Sequence, residues 1–218
     1  MKKPNFLSTF FSLFSYKDSP LKKGTLLLYV IFIMLSIILL SLYDKKQLHL
    51  ELNQYHNGFF DAFFKYTTFL GDGILFGVFI VLFFFIKRRM ALVFAISGVL
   101  TLLLTHLFKK IIFRGLPRPI ELIGADQLHL IEGVKMAHWN TFPSGHTTTA
   151  FAIFTILILY NYRNRIQYLW ILLAIIAGVS RVYLSQHFWI DIFVGSVLGI
   201  LIAFISMSFY NERKLSNE

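Results

Sequence analysis

The 218-residue chain has no cysteine, only five prolines, and eleven acidic residues against twenty-one basic ones. Without cysteine there is no disulfide, no thiol nucleophile and no thiolate metal site, and the redox compartment cannot be read. Carboxylates are few and nowhere clustered, which leaves little to bind a hard divalent cation. No metal and no cofactor is expected. Proline-, glycine- or serine-rich linkers are missing, as are internal repeats and low-complexity stretches, so residues 1–218 read as one domain.

Charge is also missing from long stretches, and this is the informative absence. Hydrophobic residues make up 56% of the chain and arrive in runs: residues 24–43, 69–86, 91–107, 150–160, 169–184 and 188–209. A helix rising ~1.5 Å per residue needs ~20 such residues to cross ~30 Å of hydrocarbon. The reading is all-α: a bundle of six transmembrane helices. The fourth run reaches span length only if Ser144 to Thr149 join it. Lys2 and Lys3 with the Phe-rich stretch Phe6 to Phe14 lack an aliphatic core and a cleavage site. Residues 1–22 are therefore a cytoplasmic or interfacial segment and not a signal peptide.

A net charge of +10 could point to nucleic acid, but the basic residues lie between apolar runs and form no stripe. With both termini cytoplasmic, Lys and Arg divide twelve inside and nine outside, a small bias in the expected direction. The chain is expected in the plasma membrane as a multi-pass protein, with the bilayer as partner and no nucleic acid. The outside surplus gathers in three polar clusters, which alternation of the spans brings to one face.

The first cluster is Lys109, Lys110, Arg114 and Arg118, stiffened by Pro117 and Pro119. Arginine offers phosphate a planar fork and lysine a point charge. The ordinary fate of basic residues at span ends is to snorkel to headgroups, and Lys109 and Arg114 are assigned to that. The second cluster is Pro143-Ser144-Gly145-His146 at a helix start, where backbone N–H groups and the dipole favour an anion. Alone, it is an ordinary capped helix start. The third is Ser180-Arg181, then His187, then Asp191 four residues on, stacked by a helix onto one face. A carboxylate within an apolar run needs a partner. His187 supplies it, and a carboxylate on one ring nitrogen leaves the other free to attack. An isolated pair of this kind could equally serve stability alone.

In this order the clusters resemble the type-2 phosphatidic acid phosphatase superfamily, whose signature is Lys-x6-Arg-Pro, Pro-Ser-Gly-His and Ser-Arg-x5-His-x3-Asp. The second and third motifs are matched without exception. The first departs: Arg118-Pro119 is present, but Lys110 stands one residue too far upstream, as though the Arg114 to Pro117 turn held one extra residue. The resemblance prefers Lys110 to Lys109. It implies a membrane lipid phosphatase with its site on the extracytoplasmic face, in which His187 becomes a phosphohistidine and Asp191 orients it. His146 would protonate the leaving group and then activate water. Lys110, Arg118, Ser144, Gly145 and Arg181 would hold the phosphate oxygens. The substrate would be a lipid phosphate or pyrophosphate. A transporter or channel for an anion or lipid phosphate is the alternative, but it needs no His-x3-Asp pair beside a second histidine, and no broken-helix repeats are evident.

Overall fold

The computed structural model of the chain describes residues 21–161 and 165–215. The expected aromatic helix over Phe6 to Phe14, and Arg163, lie outside them. Among the described residues there is no strand, only an isolated bridge between Pro117 and Trp139. The helices are α1 (Lys23–Leu42), α2 (Lys45–Asn53), α3 (Gly58–Thr67), α4 (Ile74–Ile86), α5 (Arg88–Leu107), α6 (Pro119–Ile123), α7 (Gly145–Tyr160), α8 (Gln167–Tyr183) and α9 (Trp189–Leu215).

Three stretches are long and apolar enough to cross a bilayer: Lys23–Leu42, Arg88–Ile112 and Trp189–Phe209. The run expected over residues 69–86 is not one straight helix. A 3-10 turn (Thr68–Gly71) ends at Asp72, whose extended backbone breaks the helix and whose carboxylate caps Ile74 N at 2.9 Å. The segment before the break is bent by 57° from α4, and the pair makes a fourth crossing if counted as one. In contrast, Ser144 caps α7, so residues 145–149 do join the fourth run, which becomes 16 residues long.

Helix α1 is built inside out relative to a water-soluble helix. Thr25, Tyr29, Phe32 and Ser36 form its buried stripe. Tyr29 Oη and Thr155 Oγ1 are 2.7 Å apart, and Trp189 donates to Ser36 at 3.1 Å. Its other faces carry eight aliphatic side chains that are roughly half exposed. Left to water, these would cost on the order of 1 kcal/mol each. The sum would rival the whole stability of a domain. Hydrocarbon is the environment that makes this face stable.

At the centre stands α7, with 13 of its 16 residues buried. A helix apolar on all sides is one surrounded by others, and α5, α8 and α9 all pack on it. Gly195 and Gly199 of α9 permit the closest approach. A Cβ at Gly199 would lie 2.5 Å from the Thr148 carbonyl, and one at Gly195 would lie 2.8 Å from that of Ser144. Small residues four apart are the usual device for such backbone contact in membranes. The contact ties the start of α7 to that of α9, where Ser144 N donates to Asp191 O at 3.0 Å.

Candidate active site

The three polar clusters converge at one end of the bundle. His187 lies in the short loop between α8 and α9, 1% exposed, and Asp191 lies in the first turn of α9, also 1% exposed. His187 Nδ1 is 3.2 Å from Asp191 Oδ2. That oxygen also accepts the Phe188 amide at 3.0 Å and a short bond from the Thr141 hydroxyl. Three donors on one oxygen hold the carboxylate still. With Nδ1–H directed at Asp191, Nε2 holds the lone pair, and it faces Arg118 Nη1 at 3.5 Å. Burial first, then the neighbouring cations, holds His187 well below the ordinary imidazole range, so the ring is neutral.

Two arginines frame the space before Nε2. Arg118 is anchored by its Nε to the Trp139 carbonyl at 3.2 Å and by Nη1 to the Gln186 carbonyl at 2.8 Å. Burial lowers its pKa from the ordinary guanidinium value. Arg181 comes from the last turn of α8, and its Nη1 donates to Thr68 at 2.6 Å. Its Nε is buried with no hydrogen-bond partner. A donor left unpaired inside a protein is costly, and here it points to a missing acceptor.

The lysine pair is arranged opposite to the motif-based preference. Lys109 is half-buried, and its Nζ lies 3.7 Å from where a Gly145 side chain would begin, while Lys110 is exposed. A π turn over Phe108–Ile112 extends α5 at the lysine pair itself, so the spacing irregularity begins there and not in the Arg114 to Pro117 turn alone. A π turn adds a residue and rotates the next stretch of chain about the helix axis. Lys109 is thereby turned inward, so the snorkelling assigned to it is not what the structure has.

Ser144 sits in the site but is engaged otherwise than expected. Its Oγ accepts from Thr147 N at 3.3 Å and Thr147 Oγ1 at 2.9 Å, as the cap of α7. Only its hydroxyl proton remains to donate. Gly145 opens α7 opposite Lys109, and His146 follows it, partly buried and packed closely against Gly71 of the 3-10 turn. Beside Gly145 and His146 opens a groove of about 480 Å³ between α4 and α5, walled by Phe76, Ile80, Gly98 and Leu102.

Three contributors were not found from the sequence. Thr141 stands two residues before Pro143 and touches both members of the His–Asp pair. Gln186 directly precedes His187 and meets both arginines. Thr68 holds Arg181 from the turn that breaks the second apolar run. The positions of Thr141 and Gln186 beside matched motifs were the available signal; nothing in sequence marked Thr68.

Together these residues form a neutral, carboxylate-oriented imidazole facing a pocket of three cations and a helix N-terminus, with a second histidine at its edge. A family model described as the PAP2 superfamily matches residues 89–215, and the chain belongs to that superfamily. Undecaprenyl-diphosphatase BcrC of Bacillus subtilis is 28% identical over 123 residues, which cover 56% of this chain and 59% of that protein. Bacitracin transport permease protein BcrC of Bacillus licheniformis is 35% identical over 77 residues, 35% of this chain and 36% of that one. The chain thus matches less than two thirds of the length of either. Among solved structures, LpxE of Aquifex aeolicus aligns with a TM-score of 0.64 and 27% identity, over 73% of this chain and 92% of that one. A transmembrane PAP2-type phosphatidylglycerolphosphate phosphatase of Bacillus subtilis shares the fold, with a TM-score of 0.61 at 21% identity, over 86% and 96% of the two chains.

Proposed function

We propose that the chain is a six-span membrane phosphatase that hydrolyses a phosphate ester or pyrophosphate of a lipid through a phosphohistidine, without a metal. The observation that carries this is the buried His187–Asp191 pair, whose Nε2 lies 3.5 Å from Arg118 Nη1, with the charges of Lys109 and Arg181 also acting on the ring. In the first step Nε2 attacks phosphorus, the bond from phosphorus to the lipid oxygen breaks, and His146 gives its proton to that oxygen. In the second, His146 takes a proton from water, which attacks the phosphohistidine and returns His187 and inorganic phosphate. The transferring phosphoryl group carries its charge on three oxygens, so fixed cations and amides supply most of the acceleration. Lys109, Arg118, Arg181 and the amides at Gly145 and His146 are the donors for those oxygens.

The lipid reading is supported by the groove. Its apolar walls end at Gly145 and His146, so a chain lying in it would place its headgroup oxygen beside the proposed acid. For the membrane plan, α1, the bent α3–α4 pair, α5, α7, α8 and α9 are the six crossings. Helices α7 and α8 are short at 16 and 17 residues, but α7 is shielded by its neighbours. Both termini are then cytoplasmic and the site extracytoplasmic. The relatives' names favour a carrier-lipid pyrophosphate or a glycerophospholipid monophosphate as substrate.

The test is phosphate release by detergent-purified protein, with EDTA present, over a panel of lipid phosphates and pyrophosphates. Release that persists in EDTA and disappears in His187→Ala is the expected result. Release lost to EDTA removes the metal-free mechanism. Transport of an anion that survives His187→Ala, with no hydrolysis, would replace the enzyme by a carrier.

A further inference from the structure

Gln186 occupies the space between the two arginines. It is 4% exposed, and its Oε1 is 3.4 Å from Arg118 Nη1 and 3.5 Å from Arg181 Nη2. Its Nε2 donates to the Lys135 carbonyl at 3.2 Å and meets the Met136 sulfur at 2.9 Å, both on the loop between α6 and α7. The chemistry fixes which way the amide points. One end faces only donors and the other only acceptors, so the reverse orientation would set NH2 against guanidinium and oxygen against carbonyl.

A neutral amide is suited to this place. Two guanidinium groups in a buried pocket repel, and an apolar side chain would remove the one oxygen that Arg118 Nη1 and Arg181 Nη2 share. A carboxylate would pair with both and stand where a phosphate must come. The amide oxygen offers a partial charge at long range, enough to hold the two forks convergent and weak enough to yield to a phosphate. Its other end is pinned by the loop backbone, so the loop fixes the amide and the amide fixes the arginines.

We infer that Gln186 is a positioning residue that holds Arg118 and Arg181 convergent on the phosphate and couples them to the α6–α7 loop at Lys135 and Met136. This rests on the proposed phosphatase reading. The consequence is felt in anion binding more than in the chemical step.

The experiment measures inhibition of lipid-phosphate turnover by inorganic phosphate and orthovanadate. It also measures direct phosphate binding to His187→Ala protein by calorimetry, which needs no turnover. Gln186→Leu is expected to weaken phosphate inhibition and raise KM about tenfold, the loss of one hydrogen bond to a charged group, with kcat changed less. Gln186→Glu supplies a readout that a structural role would not move. Its carboxylate would face Arg118, Arg181, Lys109, His187 and Asp191. Phosphate inhibition should weaken, relative to the parent, as rising pH ionises the carboxylate, and recover on acidification. The inference is overturned if both variants bind phosphate like the parent, or if kcat falls with inhibition unchanged. A parent protein that neither binds phosphate nor turns over lipid defeats the phosphatase reading itself, which is a different outcome.

Discussion

Substituting the two adjacent lysines separately tests the site most sharply, because the magnitudes differ widely. Lys109 Nζ lies 3.7 Å from the Cβ position of Gly145, at the N-terminus of α7. A phosphate seated there meets the ammonium at about 4 Å, worth about 4 kcal/mol at an effective dielectric of 20. Part of this is already offset by desolvation of a half-buried amine. A loss of about 2–4 kcal/mol in kcat/KM is expected for Lys109→Ala, roughly 30- to 1000-fold, as for other fixed donors to a transition-state oxygen. Lys110 is exposed, and a solvated charge is worth about 0–1 kcal/mol, under roughly fivefold. The assay is initial-rate phosphate release by both variants at matched, detergent-purified concentration, with thermal unfolding as a control for folding. A larger loss in Lys110→Ala than in Lys109→Ala would refute the reasoning, and with it the role given to the π turn.

Thr141→Val removes one of three donors to Asp191 while keeping the shape. A fall in kcat of about 10- to 100-fold is expected, with Thr141→Ser close to the parent, and equal rates for Val and parent would remove Thr141 from the site. Gly199→Ala sets a methyl 2.5 Å from the Thr148 carbonyl, so the helices must part, at about 1–3 kcal/mol. Thermal unfolding should show a clear drop in Tm, whereas Gly77→Ala, inside α4 with open space at its Cβ position, should leave Tm equal or higher. Burial lowers His49 from 6.5 to about 4, so the unfolded chain binds more protons between those values. Stability is then fully present above about pH 6.5 and falls as pH drops toward 4, by at most about 3 kcal/mol. His49→Gln should flatten that slope, and parallel Tm curves for parent and variant between pH 7 and 4.5 would sink the assignment.

The apolar runs and the three motifs were legible because each depends on residues close in sequence. Runs without charge give the helices, and Ser180 to Asp191 gives the His–Asp pair by helical stacking alone. The break at Asp72 and Gly73 was harder to see, since the run on either side is apolar throughout. Lys109 was assigned to the headgroups because spacing counts residues and cannot register a π turn, which changes the angle and not the composition. Ser144 was given to the phosphate, but a hydroxyl beside a helix start can serve the cap, and here it does. Thr68, Thr141 and Gln186 are set by tertiary approach across separate segments, for which a single sequence holds no period or spacing.

The burial of α7 also bears on how the protein is made. Sixteen residues that include four threonines give a weak signal for independent insertion, and its closest neighbour is α9, which is synthesised after it. Until α9 arrives, the start of α7 lacks the backbone bond from Ser144 to Asp191, and the His–Asp pair does not yet exist. Before α9 docks, the candidate site is therefore incomplete. Bundle and site close together in one step, when α9 docks.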